Sequence, residues 1–386
     1  MRDPLFTPRF FIMCAYSFTV FVSVFQLLPT APYHIVDLGG TTAAAGLFLG
    51  LLTYSSAFSA PFTGLIGDRV GQRHVLITVS LVLAAFTASY AVIRDHRLML
   101  VVVIGHGLFW SGLLSASGAY MTSTIPASRR AEGLGYWGLT SSFAIATAPA
   151  LGFWVYRQGW IALCVEMTVL NLLMAIIAWR LPDDHSGALG RELHEPAADP
   201  TRRVIEWRVL LLSVALALIS FGYGGLTSFS AFFADWLHVT PRSLFLAAMA
   251  ASILLGRLTM GRSLDKVGHR RILLPCLTLP PLGLALLAIA QGTGSFLVAA
   301  LVFGAGFGLM YPAYTAYVMV HVPATRRGAA FGAMLAAFDT GIGTGSSMMG
   351  WLIGQFGYRV AFGAAAALAA LSLPAFVFAE KKLGFR

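Results

Sequence analysis

The sequence predicts an all-α membrane protein with 12 transmembrane helices in two pseudo-symmetric six-helix bundles. Three observations predict it. The 386 residues are 58% hydrophobic and only 11% charged, with a mean hydropathy of +0.77, whereas a soluble domain carries about a quarter charged residues. Runs such as 75–93, 98–121 and 209–233 hold about 20 residues each, almost all apolar, enough to cross a hydrocarbon core of roughly 30 Å. Two charged motifs also recur at one identical offset of 197 residues.

The first apolar run, 10–28, is too long for the h-region of a signal peptide and lacks a small-residue cleavage site, so it reads as span 1 and not as a leader. Pro29 and Pro32 are expected to break that helix near its outer end. Cutting the chain where charges or Pro/Gly clusters interrupt apolar runs places the spans at about 8–30, 43–66, 74–93, 98–123, 132–155, 159–180, 208–231, 243–261, 272–291, 296–320, 329–354 and 358–379.

Basic residues set the orientation. With the N-terminus in the cytoplasm, inner loops and termini collect 21 of the 26 Lys and Arg, leaving Arg94, Arg97, Arg157, Arg242 and Arg359 outside. The net charge of +10 is therefore a topology signal. It implies a multi-pass protein of a cell membrane, the bacterial inner membrane, with both termini cytoplasmic. Bases scattered over short loops give no continuous face for a nucleic acid, and the expected assembly is a monomer in the lipid bilayer. Cys14, Cys164 and Cys276 lie in or beside apolar runs without metal-ligand spacing, so they read as packing residues, and no metal or cofactor is expected.

The longest polar stretch, "LPDDHSGALGRELHEPAADPTRRVIEWR" (181–208), has no apolar periodicity. It divides an N-terminal bundle, 1–180, from a C-terminal bundle, 209–386, as a cytoplasmic linker. The halves are copies. "GLIGDRVGQR" (64–73) returns as "GRSLDKVGHR" (261–270), and "PASRR" (126–130) as "PATRR" (323–327), both 197 residues on; Gly159 and Gly357 agree to within one residue. Six spans per copy is even, so both copies cross the membrane in the same direction.

With these motifs the chain resembles the major facilitator superfamily, over its whole length. Gly64 and Gly71 permit a tight turn and a close helix approach, and Asp68 at the end of span 2 can face the positive N-terminal end of a neighbouring helix. The resemblance implies that this neighbour is span 11 and that the contact closes a cytoplasmic gate. Arg69 and Arg73 would brace it through charge pairs or helix C-terminal carbonyls. In the second copy Gly261, Asp265, Lys266, Gly268 and Arg270 are expected to serve a mirror-related contact with span 5. Gln72 departs from the family, which has a base there.

Ionisable groups at membrane depth are costly and so are functional candidates. Asp339, in "AAFDTGIGTGSSMMG", falls near the middle of span 11 with no base nearby in sequence, and it is the leading candidate for carrying a proton; the alternative is an acid satisfied by backbone N–H groups or by Thr340. His106 on span 4 is a second proton-coupling candidate, since histidine titrates near neutrality, with a packed histidine as the equal alternative. Glu166 on span 6 reads as structural. The resemblance implies that spans 1, 4, 7 and 10 line the substrate cavity. The candidates there are Tyr16, Phe25, Gln26, His106, Phe109, Trp110, Tyr223, Phe229, Tyr311 and Tyr314, an aromatic wall with scattered hydrogen-bonding groups. Arg257 belongs with the second gate motif.

"AIATAPALGF" (144–153) resembles a span-5 pattern of drug-efflux antiporters, with Ala144 and Ala148 in place of glycines but Pro149, Leu151 and Gly152 kept. Val103 stands where those antiporters carry an arginine on span 4. There is no phosphate-binding G-x-x-x-x-G-K-[ST] loop, no H-E-x-x-H and no G-x-S-x-G, so an enzyme or ATP-driven pump is not expected. The expected function is a secondary transporter working by alternating access, a proton-coupled exporter of a small organic molecule. The alternatives are an uncoupled facilitator or importer, or a lipid-handling or non-transporting sensor relative.

Overall fold

The computed structural model describes residues 4–182, 207–260, 269–323 and 327–384, and at a few helical positions, Gly64 and Asp68 among them, the backbone alone. Every regular element among them is helical. In order the α-helices are α1 (Pro8–Asp37), α2 (Thr42–Val70), α3 (Gln72–Val92), α4 (His96–Thr124), α5 (Arg130–Tyr156), α6 (Trp160–Trp179), α7 (Trp207–Leu212), α8 (Val214–Trp236), α9 (Leu244–Met260), α10 (His269–Ala288), α11 (Thr293–His321), α12 (Arg327–Ala370) and α13 (Ser372–Leu383), with a 3-10 turn at Ala127–Arg129 between α4 and α5. Among the described residues ten helical segments are long and apolar enough to cross a membrane, one being the 54-residue run Ala330–Leu383, and Leu244–Thr259 is a shorter apolar helix. That long run would measure about 80 Å as one straight helix, far more than a bilayer core. It breaks at Gly357 (φ 80°, ψ 171°), and so supplies spans 11 and 12. The predicted linker lies almost wholly outside the described residues.

The break at Gly357 has its counterpart at Gly159 (φ 114°), which caps α6. Left-handed φ carries a steric penalty for any residue with a Cβ, so these two turns explain why glycine stands at matched places in both halves. Gly71 (φ 94°) turns the chain between α2 and α3 in the same way.

Two expected boundaries differ. Pro29 and Pro32 do not end α1, which continues to Asp37. Proline lacks the N–H that the carbonyls of Phe25 and Leu28 need, and the Thr30 hydroxyl does not replace it, since it donates to the Gln26 and Leu27 carbonyls at 2.7 and 3.2 Å. The helix is thus weakened there but kept. Span 7 is interrupted at Ser213, where α7 passes into α8, and runs on to Trp236.

By contact the chain forms two compact units: residues 1–30 with 54–199, and 31–53 with 200–386. The first is centred on α1, α3, α4 and α6, with Met13, Leu76, Leu113 and Ala178 wholly buried. On α6 the residues Ile161, Val165, Val169, Leu172 and Ile176 are exposed. Their helical spacing makes one apolar stripe, as a lipid-facing helix requires.

The second unit is held by small residues. A Cβ at Gly341 would meet the backbone of Ala217, one at Gly345 that of Phe221, and one at Gly224 that of Ile342. So α8 and α12 touch backbone to backbone. Since lipid is as apolar as a side chain, such close packing and hydrogen bonding hold membrane helices together. Gly46 and Gly50, on the part of α2 belonging to this unit, lie in the same manner against Ser346 and Ser347. The Ser346 hydroxyl donates to the Gly46 carbonyl at 2.8 Å and lies 2.7 Å from Ser228 Oγ.

Candidate functional site: a lone carboxylate, braced turns and a pinned helix

The repeated arginines, Arg73 and Arg270, each tie the first turn of one helix to the far end of its own unit. Arg73 Nη2 donates to the Trp179 carbonyl at 2.7 Å, and so satisfies one of the terminal carbonyls that α6 leaves unbonded. Arg270 reaches α13, donating from Nε and Nη2 to the two oxygens of Glu380 at 2.7 and 3.0 Å. Glu380 is fully buried and also accepts from the Tyr317 hydroxyl at 2.7 Å. Gln72, in place of a base, is buried and folds back over Gly67, where a Cβ would meet its Oε1. Arg69 is exposed. Of the other predicted gate residues, Gly261, Asp265, Lys266 and Gly268 lie outside the described residues, as does the side chain of Asp68.

Asp339 lies twelve residues into α12, about 18 Å from its start at 1.5 Å per residue. It is partly accessible. Neither Thr340 nor a backbone N–H bonds it, and among the described residues it enters no hydrogen bond or ion pair. Its electrostatic neighbour is the Tyr311 phenol of α11. From Tyr311 a file of rings leads away: Phe338 at 5.3 Å, Phe307 at a further 6.2 Å, then Tyr223 of α8 stacked on Phe307 at 4.4 Å. At that end Arg257 of α9 donates to the Gly308 carbonyl at 3.2 Å and interacts with the Tyr223 phenol. The second unit thus carries a carboxylate and a guanidinium at the two ends of one aromatic ladder. A carboxylate so placed can take up a proton or pair with a cationic group, and the rings can stack against a flat apolar body.

The remaining cavity candidates separate into two groups. Tyr16, Gln26, His106, Phe229 and Tyr314 are buried in helix interfaces. The Tyr16 hydroxyl lies 2.9 Å from Ser80 Oγ on α3, and the Tyr314 hydroxyl donates to Ser213 Oγ at 3.4 Å, at the break between α7 and α8. Phe229 packs against Gly350. His106 faces α3, its Nδ1 3.2 Å from the Tyr90 hydroxyl and its ring stacked beside Phe86. Gln26 donates through Nε2 to Glu166 Oε2 at 2.5 Å and is covered by Gly152 of α5, where a Cβ would overlap its own Cβ and Cα. Phe25, Phe109 and Trp110 stay at least partly accessible. The rings of Phe21 and Trp110 meet edge to face at 6.3 Å.

One polar cluster has no counterpart in the sequence reading. At the Asp37 end of α1 the Tyr33 hydroxyl donates to Asp235 Oδ2 at 3.0 Å, and Arg242 Nε donates to Oδ1 of the same carboxylate at 2.8 Å. Tyr33 also stacks on Phe232 at 3.9 Å, with the Arg242 guanidinium 4.9 Å from its ring. Asp235 followed by Arg242 at a helix end was a legible charge pair. Tyr33 was not, since it joins them from 202 residues away.

The family model described as Major Facilitator Superfamily matches residues 10–334 and 212–383. The uncharacterized MFS-type transporter YhhS of Escherichia coli K12 is 24% identical over 370 residues, covering 93% of this chain and 89% of that protein. The quinolone resistance protein NorA of Staphylococcus aureus is 24% identical over 335 residues, covering 80% and 81%. Among solved structures, the nucleoside transporter NupG superimposes with a TM-score of 0.79 at 15% identity, over 97% of this chain and 100% of that one. A bacterial homolog of the human lysosomal transporter Spinster, solved in an inward-facing and occupied conformation, gives 0.77 at 15% identity, over 98% and 97%.

Proposed function

We propose that this chain, which belongs to the Major Facilitator Superfamily, is a proton-coupled exporter of a small organic molecule that works by alternating access. Its family consists of membrane transporters and not of enzymes. The observation that carries the finer reading is Asp339, a carboxylate near the middle of a membrane-spanning helix with no hydrogen-bonding or ionic partner among the described residues. Such a group is retained at a cost, and reversible protonation is the use that repays it. The aromatic ladder beside it suits a largely apolar, flat substrate. Export is favoured by the likeness to a quinolone resistance protein and by the span-5 residues Pro149, Leu151 and Gly152. The chain is assigned to the bacterial inner membrane as a monomer with cytoplasmic termini, and Asp68 and Asp265 to the cytoplasmic gate.

The first test is a thermal-shift screen of the purified protein against sugars, organic acids and antimicrobial compounds at about pH 6 and pH 8. A ligand whose stabilisation changes with pH in the wild type, and not in Asp339→Asn, supports coupling. Equal binding at both values in both proteins refutes it. The second reading is an uncoupled facilitator or importer, favoured by Val103 standing where the drug-efflux antiporters carry an arginine, and pH-independent binding is the outcome that selects it.

A further inference from the structure

We infer that Glu166 is a proton-binding site separate from Asp339, and that its occupancy pins or releases α1 at the Pro29–Pro32 weak point. The use made of the proton rests on the proton-coupled reading above; the site itself does not.

Glu166 is the seventh residue of α6, inside a segment apolar enough to span the membrane. Its one hydrogen bond among the described residues is with Gln26. A neutral amide supplies no charge to offset an ionised carboxylate in such surroundings. Gln26 is itself fully buried, and its Oε1 has no protein partner. A proton on Glu166 Oε1 meets both needs. It makes the carboxyl neutral and donates to Gln26 Oε1, while Gln26 Nε2 continues to donate to Glu166 Oε2, closing an acid–amide pair of two hydrogen bonds. Amide orientation is assigned from such networks and not observed. Were the amide turned over, two oxygens would face each other at 2.5 Å, the length of an O–H···O bond, which again needs one hydrogen between them. Both orientations ask for the same proton.

Groups nearby do not replace it. On α3, Tyr90 is engaged with His106, while Thr87 bonds Thr168 and Asn171 at 3.0 and 3.2 Å. Ser23 of α1 donates to Asn171 at 3.1 Å. The titratable groups on the helices packed around α6 include Cys14, Tyr16 and Tyr33 on α1, Arg73, His74 and Tyr90 on α3 with Arg94 just beyond it, Tyr156 and Arg157 at the end of α5, and Cys164 on α6 itself. None of them makes a hydrogen bond or ion pair with Glu166.

The position of Gln26 gives the proton a consequence. Helix α1 passes from one unit to the other between Thr30 and Ala31, one turn beyond Gln26 and at the two prolines. With the pair closed, this turn is fastened to α6 on one side and to Gly152 of α5 on the other. When Glu166 gives its proton to water, one bond is lost and two oxygens, Glu166 Oε1 and Gln26 Oε1, face each other without a hydrogen. Helix α1 is then freer to bend at Pro29 and Pro32.

The test is infrared spectroscopy on the full chain in lipid nanodiscs, comparing Asp339→Asn with Asp339→Asn/Glu166→Gln at neutral pH. Expected is a protonated-carboxyl carbonyl band in the single variant that the double variant lacks. Identical spectra in that region overturn the site. Asp339 is absent from both samples, so the result is independent of the role proposed for it. Hydrogen exchange over residues 26–34 reads the second half of the claim. After correction for the chemical rate, wild type should exchange about fivefold faster at about pH 8 than at pH 6, the size of effect one lost hydrogen bond produces. Glu166→Gln keeps two amide–amide bonds and should exchange equally at both. If wild type and variant behave alike, as they would with a water in place of the proton, the inference fails.

Discussion

Removing the carboxylate that Arg270 holds should cost the second unit more than a surface ion pair would. Glu380 is fully buried while the Arg270 side chain is 40% exposed. The expected cost therefore falls between two regimes. Exposed pairs contribute about 0.2–1 kcal/mol, and breaking a buried pair costs about 3–5 kcal/mol. The geometry argues for the middle, because two bonds at 2.7 and 3.0 Å fix the guanidinium and Tyr317 supplies a third. Glu380→Gln keeps the shape and an acceptor for Tyr317 but loses the charge, and should destabilise by about 2 kcal/mol. Glu380→Ala strands both donors and should cost about 3 kcal/mol. A double-mutant cycle with Arg270→Ala, read by reversible unfolding in detergent, isolates the pair. The expected coupling is about 1.5–2 kcal/mol. Additivity within about 0.5 kcal/mol would show that the two residues merely share a neighbourhood, and the bracing argument would fall.

Other predictions are shorter. Gly345→Ala forces a Cβ into the Phe221 backbone and should destabilise by about 1–3 kcal/mol, whereas Gly332→Ala, where a Cβ meets nothing within 4 Å, should be neutral or slightly stabilising; equal melting temperatures for the two would contradict the backbone-contact seam. His106→Phe should lower the melting temperature through loss of the Tyr90 hydrogen bond, yet leave the pH dependence of transport as in wild type. A flattened pH profile would return His106 to the coupling machinery. Arg73→Gln should cost about 1 kcal/mol, the scale of a lost helix cap, with faster hydrogen exchange in the last turn of α6 as its signature.

The fold was legible because its signals are additive. Each apolar run, each positive-inside charge and each repeated motif contributes independently, so the twelve spans and the duplication survive local errors. Where reading went astray, a local rule met a tertiary or neighbouring group. Pro29 and Pro32 carry a true helix-breaking signal, but α1 runs through both to Asp37, as a membrane helix can where neighbouring helices pack around it. The matched glycines at 159 and 357 were legible as a repeat, and their left-handed φ is the reason for it. Site residues were harder. Spacing assigns Tyr16, Gln26, His106 and Tyr314 to particular helices, but which face of a helix meets a neighbour depends on crossing angles that no single sequence encodes. Glu166 was visible as an acid in an apolar run. Its partner, 140 residues earlier, was not.

The two arginine braces also differ in how they stand up to mutation. Arg73 is received by a main-chain carbonyl, which every amino acid at position 179 supplies, so no substitution of the acceptor side chain removes it. Arg270 is received by one carboxylate, and a single codon change at Glu380 abolishes the acceptor. The two copies of the motif therefore carry unequal genetic risk. Random mutagenesis scored for folded protein should tolerate substitutions at Trp179 far more widely than at Glu380.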